Sequence, residues 1–343
     1  MVGPLVGRNP GRVTTQGEIL ADLFGNSGYD VRAVSHAASR YARLADIAVT
    51  VARWRQSVDV LMIQCYGGPS FVVEDVATLL GRWHRRAVVL HLRGGAMPEF
   101  FARYPRWTRR VLARADAIVA PSSFLAEAVV PYGFRARVIP NVIDLAAYPF
   151  RVRERPAPRL FWMRSFHSIY NPRMALAVLA RVRVVRPDAT LVMGGQDNGM
   201  LAEVRADAER LGLADAVRFP GFLGPEAKRR EGDAADVFLS TNHIDNTPVA
   251  VIEAAAMGLP VVSTRVGGVS HLIRDGDTGL LVPDGDDAAM AAAVLRILDE
   301  PGLAARLSRN GRAMAERSSW EQVRAQWDAL FDELAPVWRG GRG

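Results

Sequence analysis

The sequence predicts an α/β chain of two successive domains, each a doubly wound parallel sheet covered by helices on both faces. Three observations carry that reading. Short apolar runs alternate with helix-length amphipathic runs, the pattern of strands buried on both faces and joined by crossover helices. The alternation breaks once, over residues 149–158, where Pro149, Pro156 and Pro158 sit among mixed charges, and then restarts. At 343 residues and 49% hydrophobic, the chain is long enough for about two domains with ample cores. The expected division is residues 1–148, a linker 149–158, a second domain 159–319, and a C-terminal helix 320–343 free to pack back on the first domain.

The elements follow in order. A helix is expected over 17–24, ending near Gly25, and a strand over 30–34. The strand that should precede that helix is weak, because Gly3 and Pro4 interrupt it. Strands at 58–64, 87–92, 117–120 and 137–140 then alternate with helices at 72–86, 98–114 and 122–130. In the second block, strands at 159–163, 189–193, 216–219 and 236–240 alternate with helices at 172–185, 199–211 and 225–231. Thr247 reads as an N-cap with Pro248 at the first helical position, and Gly258 as the stop of a short apolar helix. Strands 259–264 and 279–282 and helices 286–299, 303–316 and 320–334 complete the chain.

Composition removes several function classes. No run of eighteen apolar residues occurs, so no membrane span is expected, and residues 1–17 lack the apolar stretch of a signal peptide. The single cysteine, Cys65, excludes internal disulfides and thiolate metal clusters and fits a reducing cytoplasm. No G-x-G-x-x-G, Walker A or G-x-S-x-G motif is present, and the histidines show no metal spacing. Residues 1–150 carry 18 Arg against 11 acidic residues, whereas the remainder is balanced. A basic domain seeks phosphate, whether on nucleic acid, anionic lipid or a phosphorylated substrate. Nucleic acid is not expected, because no recognised binding module accompanies the charge. Two segments, 82–86 and 103–110, interleave Arg with aromatics and suit an anionic membrane surface; a solvated helix face is the plainer reading.

The most informative stretch runs from Asp245 to Gly268. Glu253 is the only charge between Pro248 and Thr264, and an isolated carboxylate in an apolar helix is costly to bury without a polar partner. It is expected to face a cleft; a solvent-facing or loop-capping carboxylate is the alternative. A helix starting near Pro248 directs free N–H groups at whatever lies in front of it, which suits a phosphate.

Asp245, Glu253 and the following Gly258-Leu-Pro260 and Gly267-Gly268 resemble the signature of family 4 glycosyltransferases, retaining enzymes of GT-B fold. Supporting segments are 138–141, 161–164, 219–221 and 275–283. The resemblance implies two Rossmann-like domains facing a cleft. It also implies that Glu253 accepts hydrogen bonds from the donor's ribose hydroxyls and that Asp245, where relatives carry Glu, contacts the donor sugar. The turn Asn246-Thr247-Pro248-Val249 would present its backbone N–H groups to sugar or diphosphate. Arg164 matches the family's diphosphate-binding Arg. The Lys that usually follows is missing, so Arg173 or His167 would supply the second cation. Gly194, Gly195, Gly267 and Gly268 would line the donor pocket. His91 or Arg93 takes the place of a histidine near the donor sugar, and Arg93, Gly94, Gly11, Thr15 and Gln16 would belong to the acceptor side.

The function implied is a cytoplasmic, metal-independent, retaining glycosyltransferase with no cofactor beyond a nucleotide-diphosphate sugar. It would act on a glycan, lipid-linked or small-molecule acceptor, with peripheral contact at the inner membrane face as a further expectation. A non-catalytic sugar-nucleotide-binding subunit and a GT-B sugar-nucleotide epimerase are the alternatives.

Overall fold

In the computed structural model, which describes residues 1–7, 14–37, 39–54 and 57–339, the chain forms two units. One is Met1–Val142 with Trp320–Gly343, the other Ile143–Ser319. The first unit runs α1 (Gln16–Asn26), α2 (Arg40–Arg53), β1 (Val60–Cys65), α3 (Phe71–Trp83), β2 (Ala87–Leu92), α4 (Met97–Arg103), α5 (Pro105–Leu112), β3 (Ala117–Ala120), α6 (Ser123–Glu127) and β4 (Arg137–Val138). Its strands pair in parallel in the order β1-β2-β3-β4. Val2 adds parallel bridges to Ile63 on one side and to Val34 on the other. The sheet therefore reads Val34, Val2, β1, β2, β3, β4, and its winding reverses direction between Val2 and β1. The weak first strand is thus a single bridging residue, and the strand expected over 30–34 is reduced to Val34.

Two further differences have local causes. The helix expected over 98–114 is split into α4 and α5, because Tyr104 leaves the helical region (φ −129°, ψ 58°) before Pro105. Helix α2 has no counterpart in the sequence pattern: only Ile47 and Val51 are fully buried along it, too few to write a visible apolar stripe.

The second unit runs β5 (Arg159–Met163), α7 (Pro172–Val185), β6 (Thr190–Gly194), α8 (Leu201–Arg210), β7 (Val217–Gly221), α9 (Pro225–Ala234), β8 (Val237–Ser240), α10 (Val249–Ala256), β9 (Val261–Thr264), α11 (Val269–Leu272), β10 (Leu280–Val282), α12 (Asp287–Asp299) and α13 (Leu303–Glu316). Its six parallel strands are ordered β10-β9-β8-β5-β6-β7, with the winding reversed between β5 and β8. Helix α10 is buried from Ala250 to Ala256, which explains why it is apolar all round rather than striped.

The division falls after Val142 rather than at the expected linker. The reason is Arg153, 1% exposed, whose guanidinium donates to the carbonyls of Gly232 and Ala235 (2.9 and 3.2 Å) and of Met257. Those carbonyls end α9 and α10, where a helix leaves acceptors unpaired and favours a cation. Residues 149–158, expected as a hinge, are therefore stitched into the second unit. Helix α14 (Trp320–Arg339) belongs to the first unit. Phe24 of α1 meets Trp320, Trp327 and Phe331 of α14 at ring distances of 5.2, 6.0 and 5.5 Å. Among the described residues no helix is long and apolar enough to cross a membrane.

Candidate functional site

In open parallel sheets, ligands bind outside the carboxyl ends of the strands where the winding reverses. In the second unit that point lies between β5 and β8, and the chain places its charged motif there. Arg164 follows β5, and Asn242 and Asp245 follow β8. The Arg164 guanidinium pairs with the Asp245 carboxylate and lies 4.4 Å from the centre of the Tyr170 ring. Asn242 Nδ2 donates to the same carboxylate at 2.6 Å, and Asp245 Oδ1 accepts the amide of Asn246 at 2.8 Å. Desolvation draws the Arg164 guanidinium below its ordinary range, while Tyr170 and Glu253 oppose that pull. Its Nε is buried with no hydrogen-bond partner among the described residues.

Glu253, 6% exposed, is the second carboxylate of the motif, one turn into α10. It faces neither solvent nor a loop amide. Lys228 of α9 donates to both its oxygens, at 2.8 and 3.1 Å, and the Tyr148 hydroxyl donates to Oε1 at 2.7 Å. Burial and the neighbouring Glu253 push the Tyr148 phenol up, so it stays a donor. The polar partner that the sequence required is therefore a lysine and a tyrosine. Lys228 is the only lysine of the chain. That singularity was a visible signal; its address on Glu253 was not.

The loops around this cluster are set by close approach. A side chain at Gly195 would overlap the carbonyl of Arg164, and one at Gly268 the carbonyl of Asn246. Gly268 N–H also donates to the Asp245 carbonyl at 3.0 Å. Gly267 (φ +47°) turns the chain into that contact, and Gly194 packs on Leu223. Gly195 and Gly268 bring backbone against backbone and so place Arg164 and Asp245.

Three expectations need correction. Pro248 is the N-cap of α10 rather than its first residue, and no side chain caps that end; Thr247 precedes the cap and Val249 opens the helix. Arg173 is not turned to the cluster: its guanidinium pairs with Glu203 and Asp207 of α8 (both 2.8 Å), a two-carboxylate clamp. His167 instead caps the short turn Ser168–Tyr170, its Nδ1 accepting the Ile169 amide at 3.2 Å.

In the first unit, Arg93 stands beyond the end of β2. Its Nε donates to Gln64 Oε1 and its Nη1 to Asn141 Oδ1, both at 2.7 Å, and its Nη2 lies 3.1 Å from His91 Nδ1. His91 is 1% exposed, rests 5.1 Å from the Trp327 ring and is held neutral, first by burial and then by Arg93. Neutral, it accepts from Arg93 through Nδ1. His91 and Arg93 thus share one cluster. Gly94 opens the turn into α4. Thr15 and Gln16 have structural tasks. Thr15 forms a capping box with Glu18, and the Gln16 amide bonds both backbone groups of Val142, at 2.9 and 3.0 Å. Gly11 lies outside the described residues.

A cavity of about 350 Å³ lined by Met1, Tyr29, Trp54, Asp59 and Phe331 opens near the amino ends of the first unit's strands, the end opposite Arg93. Of the basic-aromatic segments, Trp83 is exposed, whereas Trp107 and Arg110 are tied to Asp75 and Arg82 to Asp116. Among the described residues no group of three or more His, Cys, Asp or Glu is arranged to hold a metal ion.

Known proteins are similar to this chain in sequence and in fold. Residues 20–147 match the family described as Glycosyltransferase Family 4, and residues 156–314 the one described as Glycosyl transferases group 1. The D-inositol 3-phosphate glycosyltransferase of Acidothermus cellulolyticus is 30% identical over 267 residues, 70% of this chain and 59% of that protein. The glycogen synthase of Mycobacterium tuberculosis is 32% identical over 193 residues, 54% of this chain and 45% of that protein. The chain spans about half the length of the curated relatives it matches. Among solved structures, Anabaena HepE in complex with UDP and glucose is similar with a TM-score of 0.73 at 21% identity, over 91% of this chain and 89% of that one. Sucrose-phosphate synthase from Thermosynechococcus elongatus gives 0.77 at 18% identity, over 94% and 93%. Both likenesses bear on the fold, which is GT-B.

Proposed function

This chain belongs to glycosyltransferase family 4, and we propose that it moves a sugar from a nucleotide-diphosphate sugar to an acceptor hydroxyl with retention at the anomeric carbon. The observation that carries the reading is the arrangement at the β5–β8 reversal: Arg164 and Asp245 at the strand ends, with Glu253 held by Lys228 and Tyr148. The solved relative with UDP and glucose, and the glycosyltransferase names of the curated relatives, support a nucleotide sugar as donor.

In the proposed reaction the bond from the anomeric carbon to the diphosphate breaks and its electron pair stays on the phosphate oxygen. The acceptor oxygen bonds from the same face, and its proton passes to the departing phosphate. Arg164 is the cation for the charge that develops, and its fork matches two phosphate oxygens. The first-turn amides of α10 add partial positive charge. Glu253 would accept the ribose hydroxyls and Asp245 those of the donor sugar. Lys228 and Tyr148 fix the Glu253 rotamer, so that the ribose meets an oriented acceptor. Metal independence is part of the proposal, and activity retained in EDTA would support it.

Incubation with UDP-, GDP- and ADP-sugars, reading nucleotide release, tests the assignment. Release that disappears in Arg164→Ala and Glu253→Gln supports transfer; full release in either variant sinks it. A second reading has its own observation: Arg173, a candidate for the missing second cation, is clamped elsewhere, and the family resemblance implies Glu where this chain has Asp245. Binding of a nucleotide sugar without turnover would favour a non-catalytic binding subunit. Peripheral membrane contact from the cytoplasm is proposed for the surface bearing exposed Trp83, and absence of co-sedimentation with anionic vesicles would remove it.

A further inference from the structure

Among the described residues Arg93 is a cation without a counter-ion. Its three hydrogen-bond partners, Gln64, Asn141 and His91, are all uncharged, and among the described residues no carboxylate forms an ion pair with it. Residues 8–13, which lie outside the described chain, contain no acid. The two carboxyls in the field of nearby Tyr66 are engaged otherwise. Glu18 accepts the amides of Gly7 and Thr15 (3.0 and 2.8 Å) in the α1 capping box. Glu74, 1% exposed, takes the Tyr66 amide at 2.7 Å, and burial raises it to about 8, so it carries a proton at neutral pH.

A half-desolvated guanidinium is costly to keep unless an anion meets it. Desolvation already draws Arg93 down to about 10. The amides of Gln64 and Asn141 do not neutralise it; they aim it. A guanidinium has five N–H donors, and three are accounted for. One N–H on each terminal nitrogen remains, which matches an oxyanion offering two oxygens. The position agrees. Gln64 lies at the carboxyl end of β1 beside the point where this sheet's winding reverses, the place where open α/β sheets take ligands.

We propose that Arg93, aimed by Gln64 and Asn141, binds an anionic group, carboxylate or phosphate, on the acceptor, so that the acceptor is an acidic sugar or polyol. The inference rests on the transfer reading only in assigning that group to the acceptor.

The full chain, saturated with UDP to cover the Arg164 cluster, is titrated calorimetrically with glucose 6-phosphate, glucuronate and glucose. The acidic sugars are expected to bind at least about tenfold more tightly than glucose, and Arg93→Gln to erase that difference. Gln64→Glu, of the same shape, places a carboxylate on the guanidinium and should erase it equally; it keeps the test alive if Arg93→Gln fails to fold. Equal binding of glucose, or acidic-sugar binding unchanged in a folded variant, overturns the site. An Arg93-dependent preference for UDP-glucuronate over UDP-glucose in nucleotide release would move the anion to the donor and overturn the acceptor assignment. If no nucleotide sugar is turned over, the transfer reading falls while the acidic-sugar titration still decides Arg93.

Discussion

The two sheets end in clusters of opposite electrical character. At the second unit's reversal point each cation has a carboxylate: Arg164 meets Asp245, and Lys228 meets Glu253. At the first unit's reversal point Arg93 meets, among the described residues, only amides and a neutral imidazole, and the carboxyl buried nearby, Glu74, holds a proton. One cluster is charge-balanced as it stands; the other carries an uncompensated positive charge. Buried ions are tolerable when paired, so a balanced cluster can be carried by the fold itself, while an unbalanced one points to something the chain does not contain.

Single substitutions separate the two clusters. Arg164→Ala should lower turnover by about 10²–10³-fold, the range for removing a donor aimed at developing charge, while Asn242 still anchors Asp245 and the fold persists. Measurement of kcat by nucleotide release checks this. Next comes Glu74, whose folded value near 8 lies above its ordinary 4.5. Between those values the unfolded carboxyl is ionised and the folded one is not, so folding binds a proton and stability falls as pH rises through that window. Glu74→Gln should remove that fall, gaining about 3 kcal/mol at pH 7 and almost nothing at pH 4; urea midpoints at the two pH values decide.

Lys228→Met strips Glu253 of its counter-ion. Because the Lys228 side chain is 23% exposed, the expected loss is about 2 kcal/mol, below the full cost of breaking a buried pair. Lys228→Arg should recover part of it. If Lys228→Met is neutral by urea denaturation, the second cluster is not balanced in the way described. Gly268→Ala should cost about 1–2 kcal/mol and reduce turnover, because its methyl displaces the Asn246 backbone beside Asp245. The smallest effect belongs to Arg173→Ala. Exposed pairs contribute under about 1 kcal/mol, and turnover should change less than about twofold. A loss comparable to that of Arg164→Ala would restore Arg173 to the donor site as the motif first suggested.

The strands were legible because each is a short apolar run between turn residues; β2, β3 and β5 fall at their expected bounds. The places where reading failed share one cause, that their stabilising partners are remote in sequence. Val2 becomes part of a sheet only through Val34 and Ile63. Residues 149–158 look like a hinge until Arg153 is seen capping two helices some 80 and 100 residues away. Arg173 was an available cation by spacing, but α8 lies beside it and presents two carboxylates.

By itself, the sequence determined the two-sheet architecture and the site's chemical inventory: one short apolar helix, two carboxylates and one arginine in a known order. Periodicity and local backbone preferences are written within a few residues of where they act, so no partner is needed to read them. The tertiary structure decided which charge answers which. Lys228 selects Glu253, α8 removes Arg173, and Arg93 keeps an uncompensated charge. Coulomb interactions and desolvation depend on distance in space and on access to water, and neither is recorded along the chain. The feature that most sharply suggests a substrate, a guanidinium aimed by two amides, therefore becomes visible only after folding.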